Sequence, residues 1–232
     1  VRVGEARRPG PEDRCWRLRT VNLTAWETGA VELECAAIEL PAVDMYMLQE
    51  MHVRSSGVRT AKGRAGVAGW HGLIGPARVT DAGKTSGGTA VMVRRHYGIA
   101  QLEGVDDPPG PDRFTAAHVA GVCKGGITVA SLYLKDSEPL DSEFNEGLMR
   151  AATDYLLASG HPFILGADWQ VDPKVLRASK WPTQLRARVI APDEGAVSCL
   201  GGYGASLIDY FLVSESLAAS VKECRVIDDA VT

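Results

Sequence analysis

No apolar run in these 232 residues approaches the roughly 20 needed to span a bilayer, and no signal-peptide pattern opens the chain. A membrane protein is therefore not expected. Cysteine is sparse: Cys15, Cys35, Cys123, Cys199 and Cys224 are odd in number, scattered, and form no CxxC pair. That pattern speaks against a zinc site and for a reduced intracellular setting, nuclear or cytoplasmic. Internal repeats are absent, and no linker is rich enough to divide the chain. Net positive charge is absent too. At −4 the chain gives no global case for binding nucleic acid.

Its charge distribution is more informative. Between Met51 and His96 stand eight basic residues (Arg54, Arg59, Lys62, Arg64, Arg78, Lys84, Arg94, Arg95) against one acid, Asp81. Such a segment either steers a polyanion or is a solvated basic face. With 45% apolar and 23% charged residues, the rest has an ordinary globular balance. Residues 1–14, rich in Gly, Pro and charge, read as a disordered lead-in to one domain over 15–232.

Apolar runs recur with turn signals between them. Strands are expected at 16–23, 43–50, 87–95, 114–122, 126–134, 162–167 and 206–214, and 221–228 reads as a further strand. Helices are expected at 27–40, 141–160, near 173–178 and near 215–220. The clearest is 141–160. Phe144, Leu148, Ala152 and Tyr155 give it one apolar face, Asp141 can cap it, and Gly160 and Pro162 stop it. Strands interleaved with helices suggest two packed sheets covered by helices, a single α/β domain.

Polar residues sit repeatedly where those strands end: Asn22, Glu50, Tyr133, Asp168 with Gln170, and Asp209. Any one alone is more readily a cap or a turn residue than a catalyst. Their repetition carries the weight, because strand-end loops are where scaffolds place function.

The stretches TVNLTAW, LQEMH, SGGTAVMV, SLYL, GADWQ and LIDYFLVS resemble, in that order, the endonuclease/exonuclease/phosphatase superfamily over roughly residues 17–228. LQEMH and the Tyr of SLYL bring the pattern closest to the abasic-site and retrotransposon-encoded endonucleases. The resemblance implies a DNase-I-like four-layer α/β sandwich, two mixed sheets face to face with helices outside. It implies metal-dependent phosphodiester hydrolysis of nucleic acid, DNA first, by a chain expected to be a monomer. By position, Glu50 and Asn22 would hold Mg²⁺ or Mn²⁺, a hard cation needing only one or two protein carboxylates. Asp168 would activate water, Gln170 and Tyr133 would contact the phosphate, and Asp209 would orient a catalytic histidine.

Three departures matter. Gln170 replaces the family's usual Asn, Leu207 stands near where relatives carry a polar or basic residue, and the family's final His motif is missing. A last core strand is expected to be missing with it. His52 follows the Glu50 motif, His71 and His96 are expected in turns, His118 in mid-strand and His161 after a helix. A degenerate nucleic-acid-binding module is thus one alternative. A phosphatase or phosphodiesterase acting on a small molecule or lipid headgroup is another.

Overall fold

Met45–Gln49 (β2) is buried at every position, and its side chains divide between two cores. Met45 and Met47 pack with Val91, Val93, Ile127 and Val129, whereas Tyr46 and Leu48 pack with Leu33, Ala61, Trp70 and Met92. Successive strand residues point to opposite faces, so an unbroken apolar run needs a cover on each side. The computed structural model describes residues 15–36, 43–102, 110, 112–136, 138–201 and 204–227, and it supplies both covers.

One sheet has the order β1 (Leu18–Asn22), β2, β6 (Thr89–Arg94), β3 (Trp70–Gly75), with β1 and β2 parallel and the other pairs antiparallel. The other has six strands: β11 (Ala187–Ile190), β14 (Asp209–Ser214), β10 (Phe163–Asp168), β9 (Ile127–Tyr133), β8 (Phe114–Ala120) and β7 (Gly98–Ala100). Only β9 and β10 run parallel in it. Two small hairpins complete the strands, β4 (Arg78–Val79) with β5 (Thr85–Ser86), and β12 (Cys199–Gly201) with β13 (Gly204–Ser206).

Helices α1 (Trp26–Ala36) and α2 (Val58–Val67) supply Leu33, Ala61 and Ala65 to the outer face of the first sheet. Helices α3 (Glu143–Ala158), α4 (Pro173–Ala178) and α5 (Trp181–Gln184) cover the second sheet through Leu148, Ala152, Tyr155, Leu176 and Trp181. A short α6 (Glu215–Ala218) follows β14. The result is the expected four-layer α/β sandwich.

Local expectations differ in instructive ways. Ser142, not Asp141, caps α3 by accepting a hydrogen bond from the Asn145 N–H. This contact is typically worth about 1 kcal/mol. Phe144 stands out from the helix's apolar face at 43% exposure, and the charged groups of Arg113 and Lys135 lie over its ring. His71 lies within β3 rather than in a turn. Gly72 hides that strand's alternation, because a Cβ there would meet the Val91 carbonyl oxygen at 2.1 Å. Residues 221–227 form no strand: they carry exposed Lys222, Glu223 and Arg225 and enter no ladder among the described residues. The proposed lead-in, 1–14, lies outside the described residues.

Candidate functional site

The layer between the sheets changes character along its length. At one end it holds Met45, Val93, Ile127 and Val119, all apolar. Further along, β1, β9 and β10 present the small Thr20, Ser131 and Gly166. Gly166 permits a close approach of the sheets, since a Cβ there would lie 2.9 Å from Thr20 Cβ and 3.0 Å from Met47 Sδ. Two residues further still, the same inward faces carry Asn22, Tyr133 and Asp168, and the antiparallel β14 begins on Asp209. Strand register sets Asn22 beside Gln49, and Asp168 beside both Tyr133 and Asp209. The period of two thus gathers residues distant in sequence at one end of the sandwich.

Their side chains interact across the gap between sheets. Asn22 Nδ2 donates to Asp168 Oδ2 at 2.8 Å. Gln170 Nε2 donates to Asp168 Oδ1 at 2.7 Å, and the Gln170 N–H donates to the same oxygen at 3.2 Å. The Tyr133 hydroxyl donates to Glu50 Oε1, and His52 Nε2 lies 3.9 Å from Glu50 Oε2. Asp209 accepts nothing at Oδ1, which is fully buried without a partner. Its backbone N–H donates to Ser198 Oγ at 3.0 Å.

The backbone is bent where these side chains turn. Thr24, Glu50, His52 and Gln170 have φ of 59°, 52°, 52° and 55°, and only Arg186 shares this trait elsewhere among the described non-glycine residues. Non-glycine residues in the left-handed region cost of order 1–3 kcal/mol each and gather where a fold holds groups for use.

Three carboxylates govern the electrostatics. Burial pushes Asp168 up to about 6, opposed by the hydrogen bonds from Asn22 and Gln170 and assisted by the charge of Glu50. Burial likewise raises Asp209 to about 7, helped by Asp168 and Glu50 and opposed by Ser198. Tyr133 is held far above its ordinary value by burial and by Glu50, so it stays a hydrogen-bond donor.

The donors fit a hard divalent cation. All are oxygens, the charge of Glu50 raises both aspartates, and a buried carboxylate oxygen stands unpaired. Among the described residues no three His, Cys, Asp or Glu are placed to hold an ion together. An ion here would therefore take one carboxylate, an amide oxygen and water, as Mg²⁺ does.

Sequence reasoning missed several contributors. Gln49 is fully buried behind Glu50, and its Nε2 donates to Ser131 Oγ at 2.8 Å and to Thr20 Oγ1 at 3.2 Å, tying the two sheets together. Arg113 is buried with its guanidinium 4.6 Å from the centre of the Tyr133 ring, and it donates to the carbonyls of Tyr133 and Leu134. Gln49 was visible as the polar residue ending an apolar strand; nothing local marks Arg113. The basic segment is divided. Arg94 and Arg95 end β6 at the far end of the sheet. Arg54, Arg78 and Lys84 gather around the β4–β5 hairpin, which is tied to the site by the contact of His52 Nδ1 with the Thr85 carbonyl at 3.1 Å.

Two mixed sheets packed face to face with helices outside make a DNase-I-like fold. Solved structures share it. The AP endonuclease LMAP from Leishmania major is similar over 99% of this chain and 89% of its own, with 15% identity and a TM-score of 0.68. An AP endonuclease from Archaeoglobus fulgidus covers 88% of this chain and 89% of its own at 18% identity, TM-score 0.61. An endonuclease/exonuclease/phosphatase family protein from Leptotrichia buccalis covers 87% and 88% at 13% identity, TM-score 0.55. No family model and no curated protein matches the sequence. At these identities the likeness establishes the fold.

Proposed function

We propose that this chain hydrolyses phosphodiester bonds in nucleic acid, DNA in the first place, with Mg²⁺ or Mn²⁺. The observation that carries the reading is the convergence of Asn22, Glu50, Tyr133, Asp168, Gln170 and Asp209 at one end of the two sheets. Glu50 is the carboxylate that would hold the cation, with Asn22 beside it. Bound there, a divalent ion supplies Lewis-acid polarisation of the phosphoryl group and neutralises the leaving oxygen.

The remaining steps belong to the chain. Asp168, at about 6, is largely ionised near neutral pH yet basic enough to take a proton from water. Asn22 and Gln170 fix its two oxygens, so its orientation is set before substrate arrives. Tyr133 presents a protonated phenol to a phosphate oxygen. Gln170 gives one Nε2 hydrogen to Asp168 and has a second to offer a phosphate oxygen. Arg54, Arg78 and Lys84 on the rim favour a polyanion over a small neutral ester.

The buried, unpaired Asp209 oxygen and the engaged Gln170 favour a second reading, a binding module with no chemistry of its own. One experiment separates the two. Supercoiled plasmid is incubated with the chain and with Asp168→Asn, in Mg²⁺ or Mn²⁺, and nicking is scored beside a gel-shift measurement. Metal-dependent nicking lost in the variant, with DNA retention unchanged, supports hydrolysis. Retention without nicking in either chain favours the binding module.

A further inference from the structure

At the opposite end of the six-stranded sheet, two histidines face each other. His118 lies in β8 opposite Ala100 and Thr128, and His161 lies in the turn between α3 and β10. Thr128 stands five residues before Tyr133 on β9, which places the pair about 16 Å from the carboxylates at roughly 3.3 Å per strand residue. The ring centres are 4.5 Å apart with the planes inclined at 40°. Both rings line a cavity of about 310 Å³ whose other polar side chains are those of Gln101 and Ser159. Gly126 makes room for the His118 ring, since a Cβ at that residue would lie 2.4 Å from His118 Cε1.

One ring nitrogen of this pair is uncommitted. His118 Nδ1 is buried with no hydrogen-bond partner. Elsewhere in the chain the half-buried imidazoles are engaged: His52 Nδ1 lies 3.1 Å from the Thr85 carbonyl oxygen, and His71 Nε2 lies 2.8 Å from that of Tyr97. A buried ring nitrogen left without a partner is unfavourable, and a coordinated ion would satisfy it.

We propose that His118 and His161 form a second metal site, selective for an imidazole-preferring transition ion such as Ni²⁺ or Cu²⁺ and separate from the carboxylate end. Geometry supports the assignment. A ring nitrogen sits about 2.0–2.1 Å from such an ion and the ring centre about 3.2 Å from it. Two imidazoles at adjacent positions, about 90° apart, then have centres about 4.5 Å apart; at a tetrahedral angle the separation is about 5.2 Å. The observed 4.5 Å matches the right angle of tetragonal or octahedral coordination. Water in the cavity, with Gln101 and Ser159 close by, completes the shell.

The test is a calorimetric titration of the chain with NiCl₂. Cys123→Ser removes the exposed thiol, and about 10 mM Mg²⁺ is present throughout so that oxygen sites prefer the harder ion. One Ni²⁺ per chain should bind in the micromolar range. His161→Ala, at a turn and tolerant of change, should weaken it at least tenfold, as should His118→Gln, with circular dichroism confirming that both fold. Uptake unchanged in folded His161→Ala, or no stoichiometric uptake below 1 mM in the parent chain, overturns the site.

Discussion

Replacing Asp209 with Asn should stabilise the metal-free protein at alkaline pH. The Asp209 carboxyl is pushed from 3.8 up to about 7, first by burial and then by the charges of Asp168 and Glu50. A carboxyl raised in the folded state helps stability below its unfolded value, and that help is lost as pH rises through the folded value. Between pH 4 and pH 7 the native protein is thus progressively penalised for ionising a group whose Oδ1 has no partner. Linkage converts the full displacement to about 4 kcal/mol, at about 1.4 kcal/mol per tenfold change. Asp168 shares the penalty and the residue is only partly enclosed, so about 2 kcal/mol is the expected gain for Asp209→Asn at pH 8. Urea unfolding in EDTA at pH 8 and at pH 4 measures it, and the difference should vanish at the lower pH. A variant no more stable than the parent at pH 8, or a gap of equal size at both pH values, refutes the electrostatic account.

Glu50→Gln should lower Mn²⁺ affinity at least tenfold, read by electron paramagnetic resonance of the free ion; unchanged affinity removes Glu50 from the ligand set. Gln49→Leu removes the donor to Ser131 and Thr20 at the seam between the sheets, so it should cost about 1–3 kcal/mol in urea unfolding while leaving the secondary structure intact. Gly166→Ala drives a methyl to within 3.0 Å of both Thr20 and Met47, and should cost about 1–3 kcal/mol by the same assay. Tyr133→Phe removes the donor to Glu50 without changing the ring that lies beside Arg113. If the chain nicks DNA, the rate should fall about 10–100-fold with folding stability nearly unchanged.

The sequence by itself determined the strand cores and most of the polar residues that meet at one end of the sandwich. Fully buried strands must be apolar throughout, so MYMLQ, ITVASLY and FILGAD announced themselves, and so did the polar residue on which each apolar run stops. Turn and cap signals are local as well, which is why α3 was legible to within a residue or two of its ends. Only the tertiary structure decided what depends on pairing. Strand β3 was hidden because Gly72 answers to a carbonyl on β6, nineteen residues away in sequence. Residues 221–227 alternate like a strand, yet a strand exists only where a neighbouring edge accepts its hydrogen bonds. Arg113 reads as an ordinary loop arginine until β8 and β9 pair and bring it over Tyr133. Charge coupling among Glu50, Asp168 and Asp209 likewise has no signature in the chain, because burial and distance, not residue type, set it.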